Sequence, residues 1–488
     1  MDVRVASYLA ALVIVVVAGA LLAKGLSDSA VLPLLVCLGV VETGAAVAYG
    51  ARCKNDPFSL LPLIAIFYLL GFVAGAVYFH YAGREQGFSF NEATLNAGLA
   101  MGLLGFAGLF LGYVSNPLRR ALAWAPRFPM LRQNVSPLRI VVPLLALGWT
   151  ARAMQLAKGL YFHDAPQGET AANTGATAIV QTVAALPTVA VALIGAAAYL
   201  GRFERRQALF RRAFWALTIM EALWYFPTGE RGQVLGVALM ALIVAFYAGG
   251  RRIPWKLLVV TGILVTFVLF PFIQTYRGSF GEQHVYQREP GKSLKTALES
   301  MTSRSLGENF ETGLDSVFSR FNDVTSVATI LHKGREVMGL APGETLRWTV
   351  EASVPRFVYP EKEDPGRFHN GFGRTYDILE DWNFHTSIAT TQPGELYLNF
   401  GWLGVILGMP IVGALYRAIN DFLAGRWSDP AALAVYSVIT WPLIYGLESI
   451  IVLGVVGPLK LLLISTVLIW VLGRLSWSLP VARRPART

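Results

Sequence analysis

The sequence predicts an all-α polytopic membrane protein of about twelve transmembrane helices, both termini in the cytoplasm, with one large helical loop on the other side. Three observations predict it. Only 15% of the 488 residues are charged and the mean hydropathy is +0.50, where a soluble domain carries about a quarter charged residues. Apolar runs long enough to span a bilayer recur along the chain. One polar block of roughly 120 residues interrupts them, far longer than an ordinary connection.

The expected spans are Val5 to Ala23, Val31 to Gly50, Leu60 to Tyr78, Ala93 to Val114, Ile140 to Lys158, Ala178 to Leu200, Ala213 to Phe226, Val234 to Ala248, Leu257 to Ile273, Leu396 to Leu415, Ala432 to Leu453 and Leu459 to Leu475. The first has a small-x-small pattern at Ala18-Gly19-Ala20, as a signal peptide would. Its apolar run continues to Ala23, however, so it reads as a retained span. The seventh and eighth are short, and the fifth contains Arg152. With the N-terminus inside, the inside segments hold 22 Lys and Arg, and the short outside loops hold only Lys24, Arg84 and Arg231. This asymmetry is the positive-inside signature. It accounts for the net charge of +10, with the basic residues at span ends and no soluble basic face for nucleic acid. Three parts follow: 1–274 with spans one to nine, 275–393 as the large extracytoplasmic loop, and 394–488 with the last three spans and a basic tail.

The loop lacks cysteine and must hold its shape by packing. From Thr312 to Lys333, apolar residues fall at helical spacing on one face, and Gly343 to Ser353 reads as a second short helix before Pro355. Arg152, Lys158, Glu221, Glu448 and Lys460 fall in the outer half of the spans, which suggests a wet cavity beneath the loop. Snorkelling of the lysines and a structural ion pair at Glu448 account for the same charges more plainly. Glu42 lies near mid-depth in the second span.

The turn Pro227 to Gln233 (PTGERGQ) puts Arg231 at a helix start, where backbone N–H groups favour an anion. Further cations are Arg277, Arg320, Arg356, Lys362 and Arg374. Singly each is a solvated charge or an ion-pair partner, and Arg320 can pair with Asp323 at i,i+3. Together they form a clamp suited to a lipid-borne diphosphate. The sequence has no P-loop, HExxH, CxxC or Asp-x-Asp motif, so no metal and no cofactor are expected. Arg and Lys would stabilise a leaving diphosphate.

The segments VPRFVYPEKEDPGRFHNGFG and HTSIATTQPGELYLNFGWLGVILGMPIVGALYR resemble bacterial oligosaccharide repeat-unit polymerases of the Wzy type. The pattern is Pro355-Arg356, Pro360-Glu361-Lys362, Thr386-Ser387, and Gly394-Glu395-Leu396-Tyr397-Leu398-Asn399-Phe400-Gly401, with the Gly229, Arg231, Gly232 turn upstream. The match covers about 80 residues. It implies a lipid-dependent GT-C-like glycosyltransferase fold in the bacterial inner membrane, with a periplasmic active site. Undecaprenyl-diphosphate-linked oligosaccharide would be the substrate, and a chain-length-regulating co-polymerase and a flippase would be partners. The growing chain would pass to the non-reducing end of a new unit, with loss of undecaprenyl diphosphate. In this setting Arg231, Arg277, Arg320 and Arg356 bind the diphosphate, assisted by Lys362 and Arg374. Glu395 is the first candidate for general base, His385 competes, and Asp323 is third. Glu395 at a helix start has a plainer explanation in the helix dipole. Three rivals stand beside this reading: an O-antigen ligase-like glycosyltransferase, a transporter of lipid-linked oligosaccharide, and a structural partner in an assembly complex.

Overall fold

The computed structural model describes residues 27–50, 56–82, 91–119, 131, 135–158, 161, 175–203, 206–228, 231–250, 255–278, 290–320, 322–354, 359, 365–383, 386–423 and 426–478. Every regular element among them is helical. In chain order these are α1 (Asp28–Ala48), α2 (Leu60–Tyr68), α3 (Gly75–Ala82), α4 (Glu92–Ser115), α5 (Leu138–Ala157), α6 (Gly175–Val183), α7 (Leu186–Tyr199), α8 (Gln207–Tyr225), α9 (Arg231–Ala248), α10 (Trp255–Leu264) and α11 (Phe270–Gly278). The polar block then gives α12 (Pro290–Ser303), α13 (Leu306–Arg320), α14 (Asp323–Lys333), α15 (Glu344–Ser353) and α16 (Arg367–Thr375). The last part holds α17 (Gln392–Phe400), α18 (Trp402–Leu423), α19 (Pro430–Tyr445) and α20 (Gly457–Ser478). Short π-helical turns, Leu69–Ala74, Val265–Leu269 and Val452–Val456, join α2 to α3, join α10 to α11 and precede α20.

Among the described residues nine helical stretches are long and apolar enough to cross a membrane, so the chain is a polytopic helical membrane protein. Eight of these agree closely with expected spans. The first expected span lies outside the described residues. The seventh is helical throughout as α8, but Arg211, Arg212 and Glu221 leave it too polar to stand among the nine. The ninth is helical from Trp255 to Gly278 and is also not among them. The tenth starts later than expected: the crossing helix is Trp402–Leu423, and Leu396 belongs to the separate α17. Gly401, at φ +66°, makes the break.

Helices α4 and α18 cross with their backbones in close approach. A Cβ at Gly112 would lie 1.8 Å from the Pro410 carbonyl oxygen, and one at Gly413 would lie 2.0 Å from that of Leu109. Such close backbone approach is how helices associate where lipid removes the hydrophobic drive. Gly112→Ala is therefore expected to force the helices apart and destabilise the fold by about 1–3 kcal/mol. Thermal unfolding in detergent measures this, and a midpoint equal to wild type would refute it. Two of these helix starts carry side-chain caps. Asn91 accepts from Thr94 N at 2.9 Å to start α4, and Asp429 accepts from Ala431 N at 3.0 Å to start α19.

Candidate functional site

Two segments of the chain dip into the bundle and return. The expected single amphipathic helix over 312–333 is two helices, α13 and α14, broken after Arg320. Near the top of this pair the Tyr78 hydroxyl meets Asp315 at 3.4 Å. At its tip, the Asp323 carboxylate packs directly on Gly71, close to the middle of the 60–82 helix. Val324 and Ala328 then seat their backbone on Gly98 of α4. Alpha-helical periodicity survives the break, so the pair looked continuous in sequence, while the glycines at 71 and 98 provide the groove that receives it.

The second dip is the resembling motif itself. The non-helical run 386–391 leads down, α17 climbs back, and α18 descends beside it. Leu396 faces Gly404 and Gly408, Pro393 and Met409 share Gly105, and Gln392 Nε2 donates to the Tyr416 hydroxyl at 3.1 Å. Those pairings make α17 and α18 an antiparallel hairpin that turns at Gly401, with the N-terminal end of α17 near mid-span. Irregular backbone at such depth is tolerated only where protein satisfies it. Here Thr391 (φ +65°) accepts from Gly394 N at 3.1 Å and donates its own N–H to the Glu448 carbonyl at 2.9 Å. Gln392 Nε2 also donates to the Gly446 carbonyl at 3.2 Å.

Glu395 is fully buried on α17. Its Oε2 accepts from Ile451 N at 2.6 Å, at the break between α19 and the last span, while Oε1 has no hydrogen-bond partner. One turn on, Asn399 donates to Thr345 Oγ1 and to the Glu395 carbonyl, each at 2.8 Å. His369 of α16 closes the same break: its Nε2 lies 3.2 Å from Ser449 Oγ and accepts from Ile450 N at 3.4 Å. That places the ring proton on Nδ1. The enclosure pulls the His369 pKa from 6.5 down to about 4. Between those values the unfolded chain takes up a proton that the folded one refuses. Stability contributed above pH 6.5 is thus lost progressively as pH falls towards 4. His369→Gln should flatten the fall of the unfolding midpoint over that window, and an unchanged pH profile would remove His369 as its cause.

Of the expected cations, Arg231 is nearly buried. It donates Nη1 to the Ser316 carbonyl at 3.1 Å and Nη2 to Gln274, and lies 5.1 Å from the Phe270 ring centre. It pins α13 against α11. Arg374 donates Nε to Asn370 Oδ1 at 3.0 Å, and Asn370 holds the carbonyls of Asn383 and Thr386 at 2.8 and 2.7 Å. It braces the way into the second dip. Arg277 lies in the last turn of α11 and Arg320 ends α13 at the first tip, both described in backbone alone. Arg356, Lys362 and His385 lie outside the described residues. The structure therefore brings Asp323, Glu395 and the backbone of Arg320 towards one region, with Arg231 and Arg374 as braces.

Arg152 and Glu221 answer the wet-cavity expectation differently. Both are fully buried and form a two-point ion pair at 2.8 and 2.7 Å. Thr188 also donates to Glu221 at 2.8 Å, and Arg152 Nε donates to the Ala184 carbonyl at 3.1 Å. This is a lock between α5, α7 and α8. Sequence reasoning passed over Gln392, Tyr68, Tyr416 and His369. The available signals were a glutamine before Pro-Gly, Tyr68 deep in an apolar run, Tyr416 at the end of one beside Arg417, and His369 inside the resembling segment.

No protein-family model, no curated protein and no solved structure matches the chain.

Proposed function

We propose that the chain is a membrane glycosyltransferase that polymerises oligosaccharide units carried on a polyprenyl diphosphate. The observation that carries this reading is the location of the resembling motif. Gly394-Glu395-Leu396-Tyr397-Leu398-Asn399 is not a surface loop but a buried half-helix, with a carboxylate in its first turn and the acceptor oxygens of Gln392, Glu395 and Asn399 at i, i+3 and i+7 on one face.

In this reading the acceptor hydroxyl oxygen bonds to the donor's anomeric carbon as the bond to the diphosphate oxygen breaks. The hydroxyl proton passes to Glu395, with His385 and then Asp323 as the competing bases. The electron pair leaves with the lipid diphosphate, neutralised by Arg277, Arg320, Arg356 and Lys362, while Arg374 acts through Asn370 by bracing the way into the second dip. Arg231 acts by holding α13 in place. The site faces the side that carries α12–α16, the periplasm of a bacterial inner membrane under the charge bias. A ligase-like transfer would use the same site.

One observation favours a second reading. Two half-helices meeting at mid-depth suit a transporter of lipid-linked oligosaccharide. Purified protein reconstituted with the host's lipid-linked repeat unit, with EDTA present, separates the two. A ladder at repeat-unit spacing, lost in Arg356→Ala, is the expected outcome. Movement of the unit across the bilayer without a ladder would replace the enzyme by the transporter.

A further inference from the structure

We propose that Thr345 is a positioning residue for Glu395, its hydroxyl donating to the carboxylate and fixing the plane in which it takes a proton. Its use in transfer rests on the polymerase reading; the contact itself does not. Glu395 Oε2 has the Ile451 N–H, and Oε1 is buried without a partner. One N–H leaves a carboxylate free to turn about its Cγ–Cδ bond, and a second donor stops that turn. The Thr345 hydroxyl stands beside the carboxylate. Thr345 and Asn399 are both buried, and Asn399 Nδ2 donates to Thr345 Oγ1 at 2.8 Å. The threonine oxygen is thus taken by the amide, and its own proton is left for an acceptor. A buried carboxylate oxygen that lacks a donor is expensive, and a small turn of the Glu395 carboxylate completes the bond.

Helix α15 is built to hold Thr345 there. Gly343, at φ +79°, turns the chain into it, and a Cβ on Gly343 would lie 3.3 Å from the Phe400 ring at the end of α17. Glu344 accepts from Ala341 N at 2.9 Å and closes the first turn. Trp348, one turn beyond Thr345, meets the Phe368 ring edge-on at 5.6 Å and shares an apolar cluster with Leu398 of α17 and Ile450. The helix is therefore anchored on both sides of the bond from Ile451 to Glu395. Other titratable groups lie on the surrounding elements. Asp323 begins α14, His369 accepts the Ile450 N–H, and the Glu448 carbonyl takes the Thr391 N–H. On α15 itself Arg347 pairs with Glu351 at 3.1 Å. These groups are the same in every Thr345 variant, so a change at Glu395 between variants reports the threonine.

Infrared spectra of the purified full-length protein against pH test the contact without substrate. The carboxyl and carboxylate bands that Glu395→Gln removes belong to Glu395, and they are followed in wild type, Thr345→Ser and Thr345→Val. A donor to the ionised form favours it. In Thr345→Val the Glu395 bands are thus expected to change position, and the carboxyl band to appear about one pH unit higher. Thr345→Ser, which keeps the hydroxyl, is expected to match wild type. Thr345→Ala takes the place of Thr345→Val if the latter does not fold. In the reconstituted assay, loss of the hydroxyl is expected to slow the ladder at least about tenfold, with recovery in Thr345→Ser. Glu395 bands that coincide in wild type and Thr345→Val at every pH would overturn the proposal, whatever the ladder does. A wild type that builds no ladder would remove the polymerase reading and leave the infrared comparison to judge the contact.

Discussion

Replacing Arg152 by Met lowers the unfolding free energy by about 3–5 kcal/mol, because it strands the Glu221 carboxylate where water cannot reach it. Both side chains are fully buried. Glu221 would retain only the Thr188 hydroxyl, and the three rings around the guanidinium, Trp149, Trp224 and Tyr225, would lose their cation. Glu221→Gln is milder in shape but leaves Arg152 charged and unbalanced, so it falls in the same range. The double replacement Arg152→Met with Glu221→Leu removes both charges and should recover most of the loss. Chemical or thermal unfolding in a mild detergent measures all three. A double variant as unstable as the sum of the singles would mean that packing around the pair, not its charge balance, holds these helices.

The helical membrane class was plain in the sequence because apolar length and charge asymmetry are local signals that tertiary structure seldom reverses. What was hidden is depth. The 312–333 segment has one apolar face, which reads as a surface helix. It lies instead in grooves lined by Gly71 and Gly98, whose meaning depends on which helix comes to face them. The same holds for Leu396. It continues the hydropathy of the following span, but Gly401 at φ +66° and the small residues Gly404 and Gly408 let the chain fold back on itself. Glu395 stood out as an acid in an apolar context. Its partner Ile451 N is 56 residues away in sequence, and no periodicity could have joined them. Arg231 stood out for a sound reason as well, a cation at a helix start, but its donors are directed at Ser316 and Gln274.

Glu395→Gln is expected to reduce polymer formation by about a hundredfold or more while leaving the fold intact. The carboxylate has two conceivable duties, and the amide separates them. As a structural tie, Oε2 accepts one N–H from Ile451 and fastens α17 to the start of the last span. A glutamine oxygen of the same shape accepts that N–H equally well, so the tie survives. As a base, the side chain must take a proton from an acceptor hydroxyl, which an amide cannot do. Glu395→Ala loses both duties and should unfold earlier as well as fail in the assay, since it leaves Ile451 N unsatisfied. His385→Ala, measured alongside, tests the competing base. If Glu395→Gln builds the ladder at the wild-type rate with an unchanged unfolding midpoint, Glu395 is a tie alone. The proton must then go elsewhere, and His385 and Asp323 become the residues to examine.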